Sequence, residues 1–254
     1  MDGISDFMLK KERIYGEAMR WYRVLGCVVL GVFLGGLIVW CLTRPTETAS
    51  PSEQMNTASS SVSASSADWS EDVELWAASV VKLEVFDSKD NRIGTGSGFA
   101  AFEEPFLITA RHVVVNMEYM IATKDGGTTF RIDPVIEDDE ASDLVLCELP
   151  EDAGIKALPL STVEPKRGAG VIAIGSQFGV NNLVTMGNVC GSWSSEKATW
   201  ILFTAPVSGG SSGGPLLNER GEVVGIVTGS YEKGQNLNLA APVSKVQALY
   251  DKGN

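Results

Sequence analysis

The larger part of this 254-residue chain predicts an all-β fold: two six-stranded antiparallel β-barrels followed by a carboxyl-terminal helix. Ahead of them the sequence predicts a single transmembrane helix and a disordered stalk. Three observations carry this expectation. From Glu71 onward, short β-type runs recur between glycine turns such as Asp125-Gly126-Gly127 and Glu219-Arg220-Gly221. Only residues 110–115 and 243–252 have a helical pattern there, and strands without intervening helices make a sandwich or a barrel. Finally, one apolar run, VLGCVVLGVFLGGLIVWCLT at 24–43, holds 20 residues without a charge.

Residues 1–23 carry five basic side chains (Lys10, Lys11, Arg13, Arg20, Arg23) against four acidic ones (Asp2, Asp6, Glu12, Glu17). As a helix, 24–43 spans roughly 30 Å, the thickness of bilayer hydrocarbon. A cleaved signal peptide is the competing reading, but its apolar stretch is about 7–15 residues and ends at a small-residue site. Here Trp40, Cys41 and Leu42 close the run. The basic excess before the span, against a lone Arg44 after it, predicts a cytoplasmic amino end. Everything beyond would face the outside, a periplasm or a lumen. Gly31 and Gly35 form a G-x-x-x-G pair that would let two anchors pack, or reflect only the frequency of glycine in membrane helices. Residues 44–70 are dominated by Ser, Thr and Ala without hydrophobic periodicity, the composition of a flexible stalk.

Residues 71–254 form the predicted folded domain. Candidate strands are 80–86, 96–102, 106–109, 120–124, 128–136 and 144–149, then 170–174, 183–189, 199–204, 214–218, 222–228 and 237–241. The two sets of six predict two barrels in one unit. A hydrophobic fraction of 44% excludes wholesale disorder. A net charge of −12 argues against a nucleic-acid partner, which would need a basic surface for phosphates. With a single histidine and no metal-ligand spacing, no metal or other cofactor is expected. Cys27 and Cys41 lie inside the apolar run; Cys147 and Cys190 fall in different barrels, and no bridge between them is expected.

The chemistry gathers at three points. His112 follows the apolar strand in Leu107-Ile108-Thr109-Ala110-Arg111-His112, where a strand gives way to a short turn. Ser212 lies in Ser208-Gly209-Gly210-Ser211-Ser212-Gly213-Gly214-Pro215, a glycine-flanked turn running straight into the apolar Leu216-Leu217. Small neighbours there let the chain bend, expose the hydroxyl and aim the N–H groups of Gly210 and Ser212 at one point, an oxyanion hole. Asp143 stands at the mouth of the strand Leu144-Val145-Leu146, where a carboxylate can orient an imidazole. The neighbouring Glu137, Asp138, Asp139 and Glu140 read as a solvated acidic loop.

The order His112, Asp143, Ser212, the T-A-x-H and G-x-S-G-G-P contexts and the all-β pattern resemble the trypsin-like (chymotrypsin-fold) serine proteases, and most closely their HtrA/DegP-like branch. The resemblance covers most of 76–248. It includes Gly96-Ser97-Gly98-Phe99, Ala173-Ile174-Gly175-Ser176-Gln177-Phe178-Gly179 and Gly221-Glu222-Val223-Val224-Gly225-Ile226. It implies Ser212 as nucleophile, His112 as general base and acid, Asp143 as the orienting carboxylate, and Gly210 and Ser212 as oxyanion donors. It further implies a substrate pocket of Pro206, Val207 and Ser208 at its base, Thr228, Gly229 and Ser230 along one side, and Leu237. None is charged, so small or medium apolar P1 residues such as Val, Ala or Leu are expected. Peptides or unfolded proteins would be the substrates, and the branch is commonly trimeric. The chain departs from the branch in carrying no PDZ segment after the protease. Ser211 replaces the acidic residue on which digestive trypsins rely, so amino-terminal salt-bridge activation is not expected. Two alternatives stay open: a proteolytically silent, chaperone-like peptide binder, and a different hydrolase such as an esterase.

Overall fold

The computed structural model describes residues 70–103, 106–133, 135–231 and 236–253. The amino-terminal segment 1–23, the predicted span 24–43 and the stalk up to residue 69 lie outside the described residues. Among the described residues, no helix is long and apolar enough to cross a membrane.

The first element was not expected. Helix α1 (Ser70–Ala77) starts on the last residue assigned to the stalk. Its Glu71 and Asp72 fall in the first turn, where negative charge suits the helix dipole. Eight residues form no stable helix alone; tertiary contacts hold this one. Ala77 is buried, and Val73 and Trp76 pack on the central core. Asn182 caps its end, donating from Nδ2 to the carbonyl of Ala77 (2.8 Å).

Seven strands follow in the first sheet: β1 (Val80–Phe86), β2 (Arg92–Ala101), β3 (Phe106–Ala110), β4 (Tyr119–Thr123), β5 (Thr129–Ile132), β6 (Val135–Asp139) and β7 (Leu144–Glu148). Their order is β5-β4-β1-β2-β3-β7-β6, and every pairing is antiparallel. The expected closed six-stranded barrel is therefore an open seven-stranded sheet. The single strand foreseen at 128–136 is split, β5 ending at Ile132 and β6 beginning at Val135; the sequence has a proline between them, a residue with no N–H to give a ladder. Its halves pair at opposite edges, β5 with β4 and β6 with β7. Ile132 and Val135 are three residues apart, a reach of about 10 Å at most, so the edges must approach and the sheet curls into a barrel lacking one seam. The acidic run at 137–140 is correspondingly no loop: Glu137, Asp138 and Asp139 belong to edge strand β6, with Glu137 paired to Lys252 and Asp138 to Arg111.

The second sheet matches the expected six strands: β8 (Gly170–Gly175), β9 (Leu183–Ser194), β10 (Thr199–Phe203), β11 (Pro215–Leu217), β12 (Val223–Ser230) and β13 (Asn238–Pro242). They close as β10-β13-β12-β11-β8-β9, with β9 returning to β10. Helix α2 (Val243–Gly253) follows, burying Val243, Val246 and Leu249. One apolar cluster fills each sheet's interior. A third joins the two sheets, from Phe99 and Ile108 through Ile172, Ile174 and Leu217 to Val246. Because the sheets share this cluster, loops from both reach one region, where the candidate residues collect.

Candidate active site

Strand register brings the first pair together. Ala110 of β3 lies opposite Leu144 of β7, so the residues after one and before the other meet at the same sheet end. Arg111–Val113 forms a one-turn 3₁₀ helix there, and the Arg111 N–H donates to the carbonyl of Asp143 (3.0 Å). The Asp143 carboxylate is engaged twice by His112: Oδ1 accepts the backbone N–H (2.8 Å) and Oδ2 lies 2.7 Å from Nδ1. Asp143 has φ 55°, a left-handed conformation costly for a side-chain-bearing residue and tolerated where surroundings fix it. With Nδ1–H given to the carboxylate, Nε2 is left as the free base. The His112 pKa is raised above its ordinary 6.5, chiefly by the hydrogen bond to Asp143 and then by its charge, with partial burial opposing.

Ser212 arrives from the second barrel in the loop between β10 and β11. The Ser211 N–H donates to the Ser208 carbonyl (3.0 Å) and Gly214 to that of Ser211 (3.0 Å), a tight double turn. Gly213 (φ 86°) lies where a side chain would strike Thr109 and Ala110, so only glycine lets the turn abut the strand that leads to His112. The Ser97 N–H donates to the Ser212 carbonyl (2.8 Å). The Ser212 hydroxyl itself donates to the carbonyl of Thr228 (3.3 Å) and not to His112. The structure thus joins His112 to Asp143 directly and sets the Ser212 turn against the same strand, with its hydroxyl turned to Thr228.

The loop expected to form an oxyanion hole has a defined orientation. The Gly209 carbonyl accepts the Phe178 N–H (3.0 Å). In a planar trans peptide the next N–H points the opposite way, so that of Gly210 is directed away from Phe178. Among the described residues, neither Gly210 nor Ser212 gives its N–H to a protein acceptor. Gly210 has φ 99°, open to glycine alone.

The residues expected to wall a substrate pocket are partly tied into this loop. Thr228 adjoins the Ser212 hydroxyl, and Gly229 and Ser230 continue β12 outward. The Leu237 carbonyl accepts the Tyr231 N–H (2.7 Å), alongside that strand end. Pro206 is exposed and Val207 half-buried against the second barrel's core. Beneath them lies a residue for which the motifs predicted no role. Gln177 is buried, accepts the Ser208 hydroxyl at Oε1 (2.9 Å) and donates from Nε2 to the Pro206 carbonyl (3.3 Å). Ser97 likewise stood only within Gly96-Ser97-Gly98-Phe99, one of the segments that carry the family resemblance, yet its buried hydroxyl donates to the Gly210 carbonyl (2.7 Å). The one signal for both was their place in segments that carry the family resemblance; nothing in their residue types announced the contacts. Cys147 and Cys190 are both free. Burial pushes the Cys147 thiol up to about 12, which keeps it an inert apolar filler.

A sequence profile described as a trypsin-like peptidase domain matches residues 96–226. The serine protease HTRA1 of Xenopus laevis is 32% identical over 189 residues, covering 69% of this chain and 40% of that protein. The anti-sigma-I factor RsgI9 of Acetivibrio thermocellus is 30% identical over 178 residues, covering 70% of this chain and 25% of its own length. The chain thus spans well under half of the curated relatives it matches. A serine endoprotease from Yersinia pestis has a similar fold, with a TM-score of 0.64 at 23% identity, covering 73% of this chain and 66% of that one.

Proposed function

The chain belongs to the trypsin-like peptidases, among relatives of the HtrA type, and from that premise we propose that it is a serine endopeptidase acting through His112, Asp143 and Ser212. The carrying observation is the His112–Asp143 pair, with Nδ1 committed to the carboxylate at 2.7 Å and Nε2 free. Ser212 leaves the Thr228 carbonyl, gives its proton to Nε2 and attacks the peptide carbonyl. His112 then returns the proton to the leaving amine, and water repeats the sequence on the acyl-enzyme. The N–H groups of Gly210 and Ser212 receive the developing oxyanion, each worth about 10²–10³ in turnover by the standard of such donors.

Substrate would lie as an added strand. β12 pairs with β11 only as far as Ile226, and the Val227 N–H with the Gly214 carbonyl (2.9 Å). Among the described residues no strand pairs with Thr228, Gly229 and Ser230 on the side facing Ser212, and once Ser212 leaves the Thr228 carbonyl this edge can take an extended peptide. The P1 side chain would meet Pro206, Val207, Ser208 and Leu237. With the Ser208 hydroxyl already bonded to Gln177, that floor favours small or medium apolar residues. Unfolded or processed proteins suit such recognition. The uncharged run at 24–43 supports anchoring in a membrane with the protease on the far side of the cytoplasm.

The test is fluorophosphonate labelling of the full chain in detergent beside a Ser212→Ala control. Labelling that disappears in the control is expected. A wild-type chain that binds peptides yet neither labels nor cleaves would favour the silent peptide-binding reading, for which the present Ser212–Thr228 contact is the supporting observation.

A further inference from the structure

Ser97 has no exposed surface, and its hydroxyl is fully used. The O–H donates to the Gly210 carbonyl (2.7 Å), while the oxygen accepts the N–H of Ser176 (2.8 Å). Its backbone N–H donates to the Ser212 carbonyl (2.8 Å), and its own carbonyl accepts the Thr109 hydroxyl (2.7 Å). One residue of β2 in the first sheet therefore grips the second barrel's catalytic loop on both sides of Ser211, and also the turn that carries Phe178.

The consequence follows from peptide planarity. The direction of the Gly210 N–H is set by the peptide before it, and the Gly210 conformation also by the peptide after it. The Phe178 N–H pins the first of these at the Gly209 carbonyl (3.0 Å) and Ser97 pins the second at the Gly210 carbonyl. Among the described residues Ser97 is the sole donor to that carbonyl, and Gly210 is buried. Without the hydroxyl a buried carbonyl loses its partner, and glycine accepts either sign of φ. A rotated loop would turn the Gly210 N–H away and withdraw a donor from the hole.

We propose that Ser97 is the positioning residue of the oxyanion hole: its hydroxyl, reaching across from the first sheet, holds Gly210 in the conformation that keeps the N–H available to the substrate oxyanion. This rests on the endopeptidase reading above. Ser97 touches no reacting atom and acts through Gly210.

The experiment compares the full chain with its Ser97→Ala and Ser97→Cys variants. It measures kcat and KM on a peptide amide, the inhibition constant of a matching peptidyl trifluoromethyl ketone, and Tm. The Ser212 oxygen adds to the ketone carbonyl, whose oxygen becomes an oxyanion in the hole, so the inhibitor's affinity reports the hole. Ser97→Ala is expected to lower kcat about 10–100-fold, below the full loss of one oxyanion donor, with KM within about twofold. Ketone affinity should weaken by a similar factor. Ser97→Cys, whose thiol is a weak donor, falls between. If Ser97→Ala does not fold, Ser97→Cys decides by the same readouts. A lower Tm with unchanged kcat, or a lower kcat with unchanged ketone affinity, overturns the proposal while leaving the endopeptidase standing. A wild-type chain that neither cleaves peptide nor binds the ketone overturns the endopeptidase reading and this inference with it.

Discussion

At the scale of the residue, Asp143 does three things at once: its carbonyl holds Arg111, and its two carboxylate oxygens hold the backbone and the ring of His112. An amide in its place keeps the shape but can donate toward Nδ1, favouring the wrong tautomer. Asp143→Asn should lower kcat by about 10⁴, the loss known for such triads, with little change in KM. The same pair sets the pH dependence. In the proposed mechanism His112 must be neutral, and the carboxylate stabilises the imidazolium, raising its pKa above 6.5. The acid limb of kcat/KM should therefore have its midpoint above about 6.5. In Asp143→Asn, the residual activity should show that midpoint moved down. A limb flat from neutral pH to about pH 5 would contradict the role of His112. The linked stability has the opposite sense: the ion pair helps the fold below the unfolded pKa and is lost as pH rises through the raised one. With the His112 side chain 49% exposed, that contribution is small.

At the scale of the element, short segments behave according to what they pack against. Helix α1 lacks the length to show a period, and only the burial of Ala77 and the packing of Val73 and Trp76 make it a helix. Trp76 lies over the β11–β12 turn, directly against Gly221. Trp76→Ala should destabilise by about 1–3 kcal/mol, less than the 3–5 of a fully buried aromatic, and lower Tm by several degrees in a thermal melt. Turnover at 25 °C should be unchanged, since Trp76 packs on the shared core and against Gly221 and not on the Ser212 turn. The split of 128–136 into β5 and β6 was legible as Asp133-Pro134, a break that run-by-run reading of apolar residues passes over.

At the scale of the molecule, two sheets share one core, and the Ser212 turn of the second abuts the strand of the first that leads to His112. The uncharged pocket residues predict that a P1 library is cleaved after Val, Ala or Leu; preferred cleavage after Arg or Lys would refute that assignment. For the whole chain, alkaline carbonate should leave the protein in the membrane fraction, and a chain lacking 24–43 should be released. Sedimentation of the detergent-solubilised chain measures the assembly, for which the family resemblance implies a trimer.

The sequence by itself determined what local chemistry can encode. The second barrel's six strands and helix α2 were legible, and His112, Asp143 and Ser212 could be named as candidates, because glycine turns, β-type runs and short motifs act over a few residues. The tertiary structure alone decided what depends on partners far along the chain. It left the first sheet without one seam, since two strands adjacent in sequence pair at opposite edges. It built α1 from contacts instead of propensity, and turned the acidic run into a paired edge strand. It also made Ser97, 113 residues from Gly210, a neighbour of the oxyanion loop. A serine carries no mark of the carbonyl it will meet; only closure of one sheet against the other selects that partner.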